Sequence, residues 1–137
     1  MSDSIQFTWA GGSKGKGQID FGTYSVDIAI PEALRGSGEG FGPKELLASA
    51  AQACFGTTLV YALEARKIET TDVSVTTEIT TNETGLLFIH HIKVLTPTDL
   101  TDEVERAIAY SDRKCDVGNL LKSAGVTINV ESEILVG

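Results

Sequence analysis

Apolar and polar residues alternate through Ile5, Phe7 and Trp9, which predicts a half-buried strand. The glycine-rich segment Gly11-Gly12-Ser13-Lys14-Gly15 then reads as a flexible turn. A second strand is expected from Gln18 to Phe21, and Gly22-Thr23 turns the chain. From Tyr24 to Ile30 the alternation resumes through Tyr24, Val26, Ile28 and Ile30. Three strands joined by short glycine turns predict an antiparallel meander. Pro31 to Arg35 leaves the sheet, and four glycines follow between Gly36 and Gly42.

Pro43 suits the first position of a helix, and from Lys44 to Lys67 only Gly56 opposes helix formation. Such a helix is about 36 Å long at 1.5 Å per residue. Between Leu46 and Leu63 it is apolar on nearly every face, which predicts a central, buried helix. Asp72 to Thr80 and Leu86 to Leu95 read as a long hairpin about the turn Asn82-Glu83-Thr84-Gly85. Asp99 or Thr101 is expected to cap a second helix with Val104, Ala107, Ile108 and Ser111 on one face. Asp116 is expected to cap a short third helix through Leu120 and Leu121 that stops near Gly125. Val126 to Leu135 is a final alternating strand. The order predicts an α+β fold, and the length suits a single domain over residues 1–137.

Eleven Lys and Arg stand against 19 Asp and Glu, a formal net charge of -8. That balance argues against nucleic acid and against an anionic membrane surface, because both need a basic face. The apolar stretch from Leu46 to Leu63 is interrupted by Ser49, Gln52, Thr57 and Thr58, and reads as too polar and too short to span a bilayer. The N-terminus lacks a signal-peptide pattern, so a cytoplasmic location is expected, where the sequon at Asn82 is not glycosylated. The same compartment keeps Cys54 and Cys115 reduced: either two buried structural thiols or a redox pair.

Few other residues offer chemistry. His90 and His91 are adjacent in one strand and point to opposite faces, so they do not chelate one metal together, and a polar strand face is the expectation. The glycine loop fails both phosphate-loop templates: Phe41 fills the third glycine position of G-x-G-x-x-G, and no G-K-[ST] follows. It is expected to be a mobile or close-packed approach to the long helix. A helical cysteine such as Cys54 is commonly an inert small apolar residue. The second cysteine, at the head of a helix, weighs against that reading here. So does the segment from Arg35 to Pro43, which can fold back and set a cation beside a thiol.

The run Gly42-Pro43-Lys44-Glu45-Leu46-Leu47-Ala48-Ser49-Ala50-Ala51-Gln52-Ala53-Cys54-Phe55 resembles the active-cysteine helix of the OsmC/Ohr family. That family comprises osmotically inducible protein C and the organic hydroperoxide resistance proteins. Trp9 to Gly17 resembles the first hairpin of that family, and Lys114-Cys115-Asp116-Val117 with Leu120-Leu121-Lys122 its second-cysteine segment. The resemblance covers nearly the whole chain in order. It implies antiparallel sheets wrapped around a long central helix in an intertwined homodimer, with each active site at the subunit interface.

The implied activity is that of a cysteine-based peroxidase acting on organic hydroperoxides in oxidative-stress defence. Cys54 matches the peroxidatic cysteine, Cys115 the resolving cysteine, and Arg35 the arginine that contacts peroxide and thiolate. Where many members carry the glutamate that holds this arginine, the chain has Lys44. Glu45 either takes over that role or stabilises the helix N-terminus. Asp116 stands where a proline commonly follows the second cysteine, and an adjacent acid is expected to raise the Cys115 pKa. The implied cycle takes a thiolate to a sulfenic acid and then a disulfide, which an external dithiol of lipoyl type or another thiol reduces, with no cofactor. Leu34, Phe41 and Phe55 suit an alkyl or aryl hydroperoxide. Two alternatives remain: a non-catalytic dimer binding a small apolar ligand, and a redox sensor.

Overall fold

The computed structural model describes residues 3–137. The chain packs as two compact units, Met1–Leu47 and Ala48–Gly137.

The first unit holds β1 (Gln6–Ala10), β2 (Lys16–Phe21) and β3 (Tyr24–Ile28), an antiparallel meander as the glycine turns require. Phe7 and Trp9 stack on one face with ring centroids 6.2 Å apart. The face that the alternation marks as apolar is only partly covered by this chain: Ile5, Phe7, Phe21 and Tyr24 are all exposed. After a single 3₁₀ turn at Glu32–Leu34, the glycine loop is close-packed. The Gly36 N–H donates to the Pro31 carbonyl at 3.0 Å, and a β-carbon at Gly36 would collide with the Ile30 carbonyl. Phe41 returns beside β3, where its N–H donates to the Asp27 carbonyl at 2.9 Å and its carbonyl accepts from the Ala29 N–H at 3.1 Å.

The long helix α1 (Pro43–Ala65) begins at Pro43 as expected, with its first turn in the first unit and the rest in the second. It stops before Lys67, which adopts a left-handed conformation (φ 57°). Two expectations are corrected here. By length and composition alone α1 is long and apolar enough to span a bilayer, a standard that core helices of soluble proteins also meet, because its few hydroxyl and amide side chains do not offset its alanines and leucines. Nor is it buried all round: one stripe, Ala48, Ala51, Phe55, Leu59, Ala62 and Leu63, is buried, while Val60 and Tyr61 are 47% and 73% exposed.

In the second unit β4 (Asp72–Asn82) and β5 (Gly85–Thr96) form the expected hairpin. Helices α2 (Thr101–Lys114) and α3 (Asp116–Ser123) follow, and β6 (Thr127–Val136) closes the chain. Here the sheet departs from the antiparallel expectation, since β6 runs parallel to β5. The two helices form the long crossover that a parallel neighbour requires, whereas a tight turn only reverses a strand. Phe55, Leu59, Ala62 and Leu63 of α1 pack with Ile92 and Val94 of β5 and with Val104, Ala107 and Ile108 of α2. Each large apolar side chain buried this way stabilises the fold by about 1.5–3 kcal/mol.

Both expected helix caps move by one residue. Leu100 is the N-cap of α2, and Asp99 sits just outside, its Oδ1 accepting from the Thr101 N–H (3.2 Å) and hydroxyl (2.8 Å). Those two bonds hold the Asp99 carboxyl below its ordinary pKa. At α3 the cap is Cys115, not Asp116.

Candidate functional site

Cys54 lies on α1 and is half-buried, one residue before the fully buried Phe55. Cys115 lies in the break between α2 and α3 and is 3% exposed. Its extended backbone (φ -70°, ψ 104°) separates the two helices and turns the side chain inward. The sulfur accepts the Gly118 N–H at 3.3 Å, satisfying one of the free donors in the first turn of α3. The thiol also faces the Ala51 carbonyl of α1 at 3.9 Å. A β-carbon at Gly118 would sit 3.0 Å from that sulfur, so glycine leaves the thiol its space.

These contacts bring Cys115 against the turn of α1 just before Cys54, and Cys54 packs against the buried cluster that contains Cys115. Both are free thiols. Burial pushes the Cys115 pKa up to about 11, the Cys54 thiol adds to the rise, and the Gly118 N–H and the Lys122 ammonium oppose it. The rise expected from Asp116 therefore has a different origin, since Asp116 is exposed and solvent screens it. The pair is asymmetric: an accessible thiol meets a buried one that stays protonated at neutral pH.

Arg35 and Glu45 belong to the first unit. Arg35 ends the 3₁₀ turn in a left-handed conformation (φ 68°), with its N–H donating to the Glu32 carbonyl at 2.9 Å. Its side chain is exposed and forms no ion pair among the described residues. Glu45 is half-buried in the first turn of α1, and its Oε1 accepts the Gly42 N–H at 3.1 Å. This is the glutamate half of a capping box, which ties the glycine loop to the helix start. The first unit also holds an apolar cavity of about 450 Å³, with Phe7, Trp9, Ile28, Leu34, Phe41 and Leu46 among its walls. Leu34 and Phe41 thus line an apolar cavity of the first unit. Phe55 does not, because it is 1% exposed and packs on the His90 ring with centroids 5.4 Å apart.

The two histidines do face opposite ways, but only one lies on a polar face. His91 bonds Glu78 at 2.6 Å on the outer side. His90 is 2% exposed, its Nδ1 2.7 Å from the Thr77 hydroxyl. Sequence reasoning missed this network and its third member: Gln52 of α1 donates to the Val75 carbonyl and to the Thr77 hydroxyl, each at 3.0 Å. The available signal was register, because His90 shares its face of β5 with Phe88, Ile92 and Val94.

Comparison with known proteins bears on this arrangement. YmaD of Bacillus subtilis (strain 168) is 28% identical over 135 residues, spanning 95% of this chain and 89% of YmaD. Among solved structures, an OsmC-like protein from Mycoplasma pneumoniae is 22% identical with a TM-score of 0.72, covering 98% of this chain and 99% of that one. An organic hydroperoxide resistance protein OsmC from Legionella pneumophila is 24% identical with a TM-score of 0.68, covering 95% and 96%. OhrB of Bacillus subtilis, an organic hydroperoxide resistance protein, is 22% identical with a TM-score of 0.63, covering 95% and 98%. These structures share the α+β fold described above. The model of the family described as OsmC-like protein matches residues 36–131, a span that takes in both cysteines, and the chain belongs to that family.

Proposed function

We propose that the protein is a thiol-dependent peroxidase that reduces organic hydroperoxides in cytoplasmic oxidative-stress defence. The observation that carries this reading is the packing of the half-buried Cys54 against the buried cluster that holds Cys115, whose thiol faces the Ala51 carbonyl on the same helix as Cys54. Family membership and the fold shared with organic hydroperoxide resistance proteins support it.

In this reading Cys54 is the nucleophile. Its thiolate attacks the distal peroxide oxygen, the O–O bond breaks, and the leaving alkoxide takes up a proton to become an alcohol. Cys54 is then a sulfenic acid. Cys115 attacks that sulfur, the S–O bond breaks, and the hydroxyl leaves as water with the Cys115 proton. A dithiol of lipoyl type or another thiol reduces the disulfide and restores both thiols. Arg35 is the proposed cation for thiolate and peroxide, a role supported by the family resemblance and by its exposed guanidinium. Glu45 supports Arg35 only indirectly, by holding the end of the loop that carries it.

The active form is proposed to be a homodimer. A helix that is apolar nearly all round yet leaves Val60 and Tyr61 exposed needs further cover, and so do Ile5, Phe7 and Tyr24 of the first sheet.

The test is steady-state consumption of cumene or tert-butyl hydroperoxide with a dithiol. Wild type turns over repeatedly, Cys54→Ser is inactive, and Arg35→Ala is slowed in peroxide attack with little loss of stability, because its side chain is exposed. Only one stoichiometric turnover with every dithiol tried favours a redox sensor. That second reading has one observation behind it: Cys115 is also the N-cap of α3, so its oxidation changes a helix end.

A further inference from the structure

The reductive half of the cycle depends on which sulfur of a Cys54–Cys115 disulfide the external thiol attacks, and the surroundings of the two cysteines differ. Cys54 is half-exposed, and Cys115 is 3% exposed. An incoming thiol therefore reaches Cys54 first, and Cys115 becomes the departing sulfur. Thiol–disulfide exchange goes faster when the departing thiolate is better stabilised.

Burial disfavours a thiolate at Cys115, and two groups beside it work against that cost. The Gly118 N–H points at its sulfur from 3.3 Å at the start of α3, where the helix dipole favours negative charge. Lys122 lies about two helical turns further along α3. Helical side chains lean toward the N-terminus, so its ammonium leans toward the Cys115 end. There it pairs with Asp112 of α2 at 3.0 Å. Asp112 precedes Cys115 by less than one turn, so this ion pair ties α2 to α3 across the break where Cys115 sits. The Lys122 charge lowers the Cys115 pKa, against the larger effect of burial.

We propose that an external dithiol attacks the Cys54 sulfur of the disulfide and that Cys115 departs as a thiolate that accepts the Gly118 N–H and is favoured by the charge of Lys122, with Asp112 tempering that charge. The inference rests on the two-cysteine cycle proposed above. In the step itself a reductant thiolate forms a mixed disulfide with Cys54, and the electron pair of the broken S–S bond goes to Cys115. The second thiol of the reductant then attacks its own sulfur in the mixed disulfide. That step closes a cyclic disulfide and releases Cys54 as a thiolate, while the two reductant protons restore the two cysteine thiols. Gly118 touches a reacting atom. Lys122 and Asp112 do not, and act through the charge they place near Cys115.

The disulfide is prepared with diamide rather than peroxide, so the test does not need the oxidative half of the cycle. Oxidised protein is treated with excess glutathione, quenched with an alkylating agent and mapped by peptide mass spectrometry. Glutathione is expected on Cys54 and the alkyl group on Cys115; glutathione on Cys115 overturns the proposal. Stopped-flow reduction by dithiothreitol then compares variants. Lys122→Gln is expected to slow it by about three- to tenfold and Lys122→Arg to restore it, with the gap closing at high salt. Asp112→Asn is expected to speed it and to lower the pKa of Cys115, read by thiolate absorbance at 240 nm. Equal rates for wild type, Lys122→Gln and Asp112→Asn at low salt overturn the proposal, as does a failure of diamide to join the two cysteines. If diamide gives the disulfide and peroxide does not, the peroxidase reading falls while this inference stands.

Discussion

Thr77 and His90 face each other as a cross-strand pair of β4 and β5, with the Thr77 hydroxyl 2.7 Å from His90 Nδ1. The Gln52 amide donates to the same hydroxyl, which with two acceptor lone pairs and one proton can pair with either tautomer of His90. A polar chain thus ties α1, two residues before Cys54, to the core face of β5. Burial lowers the His90 pKa; Asp112 opposes the shift and Lys122 reinforces it.

That shift gives a pH dependence of stability. The folded protein binds the His90 proton less tightly than the unfolded chain does, so the stability is fully present above the unfolded pKa of about 6.5. It is lost as pH falls toward the lower folded value. Urea unfolding at pH 7 and pH 5 is expected to show a drop for wild type that His90→Gln largely removes. Parallel drops in the two proteins contradict the assignment. Thr77→Val, which strips two partners of a half-buried hydroxyl, is expected to cost about 1–3 kcal/mol at pH 7.

Glu45 separates two roles that sequence leaves open. As the acceptor of the Gly42 N–H it is a capping residue, and Glu45→Ala is expected to cost about 1 kcal/mol of stability. Glu45→Gln keeps an acceptor oxygen and is expected to recover most of that stability. Thermal melts measure this. A Gln variant as stable as wild type but markedly slower in peroxide attack assigns the carboxylate charge a role beyond the cap.

Sedimentation equilibrium tests the proposed dimer. Wild type is expected to sediment at twice the 14.6 kDa chain mass at micromolar concentration. Val60→Glu together with Tyr61→Glu, on the uncovered side of α1, is expected to weaken association. A stable, well-folded wild-type monomer contradicts the proposal.

The order of elements was legible because each carries its own pattern: alternation in the strands, a long stretch apolar on nearly every face in α1, one apolar face in α2. The parallel pairing of β6 was not, since alternation states which face a strand buries and not which way its neighbour runs. Cys54 and Cys115 could be singled out by residue type and by resemblance. The packing of Cys115 against α1 depends on the α2–α3 break, where a cysteine takes the place expected of the Asp116 carboxylate as cap. Gln52 gave no signal, because a lone amide on an apolar helix looks like any other interruption.

The central claim is that Cys54 attacks and Cys115 resolves. Its most direct test is the thiol state of purified protein after one equivalent of cumene hydroperoxide, read by intact and peptide mass spectrometry. Wild type is predicted to lose two hydrogens and to yield a Cys54–Cys115 linked peptide. Cys115→Ser is predicted to stop at a Cys54 sulfenic acid that dimedone traps. Two unchanged thiols in wild type, or dimedone on Cys115 in Cys54→Ser at a comparable rate, would contradict the account.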